Sequence, residues 1–105
     1  MASIDPILTN FRAALAEVYG DRIERVVLYG SRARGDARAG SDYDVAVFLK
    51  DLFSRWNEVR RITEIELAVR NLTDADIHAM PFPAGSWSDP SSPLMYEIRK
   101  DGLDL

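Results

Sequence analysis

Apolar residues first recur with a helical period. Ile7, Leu8, Phe11, Leu15, Val18 and Tyr19 fall on one side of a helix behind Asp5-Pro6. Asp5 suits the N-cap, and proline suits the next position because its missing N–H would have no intrahelical partner. Gly20 or Asp21 ends this helix. The period then changes to two. Arg25 to Tyr29 is a short β-rich run stopped by Gly30, and Asp42 to Leu49 alternates Tyr43, Val45, Val47 and Leu49 with Asp42, Asp44, Ala46 and Phe48. Ser31 to Ser41 reads as a loop or irregular turn. Ser54 is placed to cap a second helix reaching about Asn71, with Trp56, Val59, Ile62, Ile65 and Val69 as its core-facing stripe. A third strand is expected over Asp74 to Met80. Pro81 to Ser92 reads as a proline- and serine-rich loop, in which Trp87 packs over the domain's edge or touches a partner. Ser92-Pro93 then opens a last helix, Leu94 to Asp101, closed by Gly102.

The second and third strands share an asymmetry. Ala75, Ile77 and Ala79 oppose Asp74, Asp76 and His78, just as the apolar side of the second strand opposes Asp42 and Asp44. This implies an α+β fold: a small mixed β-sheet with helices packed on one face and an open acidic face on the other. Period two alone thus brings Asp42, Asp44 and Asp76 together. Such carboxylates repel, each close pair by about 4 kcal/mol at 4 Å and an effective dielectric of 20. A divalent cation removes that penalty, and oxygen ligands without a histidine-cysteine cluster favour Mg²⁺ or Mn²⁺ over zinc. Asp74 and His78 lie on the same face as Asp76, so either is a candidate to share its role.

Bulk properties narrow the classes. With 105 residues the chain is expected to form one domain over its whole length, 1–105. No apolar run approaches the roughly 20 residues of a bilayer span, and Met1-Ala2-Ser3-Ile4-Asp5 lacks the basic and apolar regions of a secretory signal, so no membrane association and a cytoplasmic location are expected. The absence of cysteine excludes disulfides and thiolate metal sites. A net charge of −4 argues against bulk nucleic acid as a partner. The local distribution differs from the sum: Arg32, Arg34 and Arg38 cluster beside Gly30, which suits a small anionic ligand.

Gly30-Ser31 at the end of a strand lets the backbone approach a phosphate, with Ser31 donating from its hydroxyl and N–H and the arginines neutralising oxygens. Followed after eleven residues by Asp42-Tyr43-Asp44, it outlines a nucleoside-triphosphate site. This pairing resembles the signature of the polymerase-beta-type nucleotidyltransferase superfamily. Gly30-Ser31-Arg32-Ala33-Arg34-Gly35 and Ser41-Asp42-Tyr43-Asp44-Val45 are most similar to the minimal nucleotidyltransferases within it. Asp76-Ile77-His78-Ala79-Met80-Pro81 resembles the family's third-strand motif, and Glu97-Ile98-Arg99-Lys100-Asp101-Gly102 its C-terminal helix.

The resemblance implies that Gly30 and Ser31 hold the triphosphate, beside Arg32 and Arg34 as the candidate arginines for its oxygens, that Asp42 and Asp44 bind two Mg²⁺ ions, and that Asp76 binds the catalytic one. ATP is then the nucleotide substrate. It also implies transfer of AMP to a hydroxyl, with a tyrosine of a HEPN-type toxin as acceptor and an antitoxin role for this chain. Two alternatives stay open: a non-catalytic partner-binding module of the same fold, and transfer to a small hydroxylated molecule. A homo-oligomer is also open.

Overall fold

The strand Tyr43–Leu49 (β2) is buried along nearly its whole length, and the sheet is built around it. The structure is a computed structural model that describes residues 5–38, 40–52 and 54–105. Residues 1–4, part of the segment expected to carry no secretory signal, lie outside these residues. Asp5 caps the first helix (α1, Pro6–Tyr19) by accepting a bond from Ile7 N at 2.8 Å, and Gly20 ends it. The next strand (β1, Ile23–Tyr29) begins two residues earlier than expected. A short helix (α2, Ser31–Arg34) occupies the start of the expected loop.

Beyond β2, Ser54 caps a long helix (α3, Arg55–Thr73), which crosses back to the strand β3, Ile77–Pro83. The last helix (α4, Pro93–Asp101) leads into a two-residue strand (β4, Leu103–Asp104) that sequence period could not reveal. A side chain at Gly102 would collide with the Ile98 carbonyl and Val27, so only glycine lets the chain turn so tightly from α4 into β4.

The strand order is β3-β2-β1-β4. β1 runs antiparallel to β2 and β4, and β2 parallel to β3, which requires the α3 crossover. The sheet is therefore mixed, as expected. Its register sets Tyr29 opposite Asp44, and Asp44 opposite His78.

One face packs Val45, Val47 and Leu49 against Phe11 and Leu15 of α1 and Ile62, Ile65 and Val69 of α3. On the other, Ala46 and Phe48 pack with Val27, Met95 and Ile98, so α4 covers the lower half of the face that carries the acids. Only its upper end, at Asp44, stays open. Trp87 lies edge-on to Phe48 with ring centroids 5.6 Å apart and carries the Arg25 guanidinium 4.2 Å above its ring. It packs over the domain's edge.

Two expectations need correction. β3 lies three residues later than predicted, at Ile77–Pro83, because Asp74 caps α3 in the left-handed conformation (φ +63°) and Pro81 and Pro83 continue the strand. Both prolines share the parity of Ala79, whose N–H points away from β2 to Glu66 at 2.8 Å, so on this edge strand they leave no ladder bond unmade. Trp56, assigned to the core by spacing, is 82% exposed. At 3.6 residues per turn it stands on the opposite side of α3 from the buried residues Glu58, Ile62, Ile65 and Val69.

Truncating Phe48, which is fully buried, is expected to cost about 3–5 kcal/mol. Trp56→Ala should stay within about 0.5 kcal/mol of wild type; urea denaturation of both variants measures the contrast.

Candidate active site

Gly30 ends β1 with φ +75° and ψ −157°, a backbone region that side chains disfavour. Its carbonyl accepts from Ala33 N and Arg34 N, both at 3.1 Å, which turns the chain at once into α2. The N–H groups of Ser31 and Arg32 then stand in the first turn, where no intrahelical acceptor exists. A Cβ at Gly30 would come within 2.5 Å of Asp44 Oδ2. The β1–β2 register therefore lays the Asp44 carboxylate directly over the glycine turn, in the space a side chain would fill.

Asp42 precedes β2 and Asp44 lies within it, on the same side. His78, the register mate of Asp44, places Nε2 3.3 Å from Asp42 Oδ2. Burial pushes the Asp44 carboxyl above the usual aspartate range. The Asp42 charge adds to the rise, while His78 and Arg34 oppose it. Tyr29, on the adjacent strand, is likewise raised, first by burial and then by the Asp44 charge.

Asp76 is brought alongside but not aimed at the pair. Its carbonyl accepts from Tyr43 N at 2.9 Å, whereas its carboxylate faces Arg70 Nε at 3.4 Å, in the last turn of α3. Among the described residues, no group of three or more His, Cys, Asp or Glu side chains is arranged to hold a metal ion. Asp74 serves as the α3 cap.

The arginines divide. Arg32 donates to the Ser41 carbonyl at 3.2 and 2.8 Å, and its guanidinium lies 4.3 Å over the Tyr43 ring, so it braces the chain entering β2. Arg34 pairs with Asp36 at 3.2 Å and approaches Asp101 of α4 at 3.8 Å, within electrostatic reach of Asp44. For Arg38 the structure shows a backbone bond, from its N–H to Ser41 Oγ at 2.9 Å.

This donor set fits a divalent cation delivered with a polyphosphate. Mg²⁺ commonly takes one or two carboxylates, completing its shell with phosphate oxygens and water, and does not need an all-protein cage. Asp42 and Asp44 would hold it, with phosphate against Gly30 and Ser31. Sequence reasoning overlooked Tyr29 and Glu66. Glu66 carried a signal: it falls within the α3 stripe, four residues after Ile62 and three before Val69.

Because Asp44 is raised chiefly by burial, its contribution to stability is present below the ordinary aspartate pKa of about 3.9 and lost as pH rises through the raised value. In EDTA at neutral pH, Asp44→Asn should therefore melt no lower than wild type, and the advantage should vanish toward pH 4. Gly30→Ala should instead cost on the order of 1–3 kcal/mol. Thermal melts across pH check both.

Comparison with known proteins bears on the family and the fold. A relative from Methanocaldococcus jannaschii, assigned by name to the protein adenylyltransferases, is 37% identical over 46 residues, 44% of this chain and 46% of that one. The match thus spans about half the length of the relative. A Sulfolobus solfataricus structure assigned to the nucleotidyltransferases superposes with a TM-score of 0.65 over 93% of this chain and 75% of its own, at 18% identity. A Shewanella oneidensis complex of a tri-AMPylated HEPN toxin with an MNT antitoxin gives 0.50 over 93% and 70%, at 15% identity. At these identities the two structures establish a shared fold. The family model described as "Polymerase beta, Nucleotidyltransferase" matches residues 14–102, nearly the whole chain from mid-α1 to the end of α4, and this protein belongs to that nucleotidyltransferase family.

Proposed function

We propose that the protein is a Mg²⁺-dependent nucleotidyltransferase that moves AMP from ATP to a hydroxyl of a partner protein, a tyrosine of a HEPN-type toxin, and so acts as an antitoxin. The observation that carries the reading is the contact of Gly30 with Asp44. It sets the glycine turn that opens α2 directly against one of two carboxylates that burial and mutual repulsion leave in need of a cation. The names of the relatives in M. jannaschii and S. oneidensis support the choice of AMP and of a toxin partner.

Each residue then has a task. Gly30 and Ser31 receive the triphosphate at the start of α2, and Arg34 turns from Asp36 and Asp101 toward its oxygens. Asp42 and Asp44 hold the cation, and Asp76 joins them once its carboxylate leaves Arg70. Arg32 keeps Ser41 and Tyr43 in place, which fixes where Asp42 and Asp44 stand. His78 orients Asp42. A bound cation would neutralise charge on the polyphosphate and activate the acceptor hydroxyl.

One observation favours a second reading, in which the fold binds and masks its partner without turnover: Asp76 is engaged by Arg70, and no three-ligand cluster is formed among the described residues. The experiment that separates them uses labelled ATP, Mg²⁺ and a HEPN-type toxin as candidate partner. Label should pass to that partner, fall at least 100-fold in the Asp42→Asn, Asp44→Asn double variant, and disappear with EDTA. Neutralisation of the partner by the double variant as complete as by wild type would establish the non-catalytic reading instead.

A further inference from the structure

A cavity of about 370 Å³ opens beside Asp44 and runs over the β3 edge toward α3. Asp44 and Tyr29 form one end, and Val59, Thr63 and Glu66 of α3 with Met80 of β3 form the rest. We propose that this cavity is the acceptor subsite, and that it selects a phenolic side chain by enclosing the aromatic ring between α3 and the β3 edge while presenting the hydroxyl to the Asp44 end. The proposal rests on the reading of the site as a nucleotidyltransferase centre and adds where, and by what chemistry, the acceptor is chosen.

Three observations point the same way. Position comes first: a transferred group bound at Gly30 and Asp44 must be attacked from an adjoining space, and this cavity shares the Asp44 wall. Composition comes second. Val59, Met80 and the Tyr29 ring are apolar surfaces that a serine hydroxyl or a sugar would leave uncovered, whereas an aromatic ring fills them and keeps its polar end toward water and charge. Charge comes third. Glu66 lies in the wall, one carboxylate oxygen fixed by the Ala79 N–H at 2.8 Å, so its charge disfavours phosphorylated or carboxylated acceptors. The Ala79 bond also closes the β3 edge at this point, leaving side-chain insertion rather than strand pairing as the mode of entry.

In the transfer, the phenolic oxygen forms a bond to the α-phosphorus of ATP as the bond from that phosphorus to the bridging oxygen of pyrophosphate breaks. Pyrophosphate leaves with the electron pair. The phenolic proton passes to water at the open mouth of the cavity.

The test is amide NMR of the full chain with Mg²⁺ and a non-hydrolysable ATP analogue, titrated with N-acetyl-tyrosinamide or N-acetyl-serinamide. The phenolic probe should give saturable shifts at Val59, Thr63, Ala79 and Met80, and the serine derivative none. Thr63→Trp, which fills the cavity from an exposed position on α3, should weaken the phenolic probe at least tenfold. Met80→Trp fills it from β3 and serves as the independent second variant. Absent or misplaced shifts, equal binding of the serine derivative, or wild-type binding by both variants would overturn the subsite. Failure of the nucleotide analogue itself to shift Gly30 and Ser31 would instead overturn the nucleotidyltransferase reading beneath it.

Discussion

Everything at the candidate site depends on the close approach of a carboxylate to a backbone turn that has no side chain. Asp44 reaches that position because β1 and β2 pair in a register that sets Tyr29 opposite it, and Gly30 follows Tyr29 directly. A one-residue slip would turn Asp44 into the core and bring Val45 to the turn. The register is held by burial. Val45, Val47 and Leu49 fit the face under α1 and α3, and Ala46 and Phe48 fit the face under α4, so β2 cannot shift without exposing both sets.

The division of the second sheet face is what makes a site possible in so short a chain. α4 shelters Ala46 and Phe48 but stops before Asp44, and its C-terminal end comes near α2 through Asp101 and Arg34. The remaining opening is bounded by α2, β3 and the overhang of α3. Carboxylates placed there are partly desolvated and repel one another, an arrangement that lowers stability when both are charged. Arg70 and His78 moderate the charge by occupying Asp76 and Asp42.

Much of the fold was legible because its signals are local. The caps Asp5, Ser54 and Ser92 make the bonds that their side chains suggest, and the alternation from Asp42 to Leu49 marks a strand whose acids and apolar residues point as expected. What misled were signals that depend on neighbours. Pro81 and Pro83 read as loop residues because a central strand could not contain them, yet β3 is an edge. Trp56 was grouped with the apolar stripe, but it stands on the side of α3 opposite Ile62 and Ile65. Where the Arg32 side chain lies also depends on neighbours, since the Ser41 carbonyl and the Tyr43 ring hold its guanidinium.

The sequence by itself determined the three long helices, the three long strands, the glycine turn and the shared side of Asp42 and Asp44, since each follows from a period, a cap or a residue with unique backbone freedom. Tertiary structure decided which carboxylates meet. Period two assigns Asp76 to the acidic face, but where its flexible side chain points depends on Arg70, a residue six positions earlier on a different element. Period two likewise could not show that α4 covers half of that face, or that α3 overhangs the edge beside Asp44 to form a cavity. Both result from how separate elements pack, and local spacing carries no record of the distance between them.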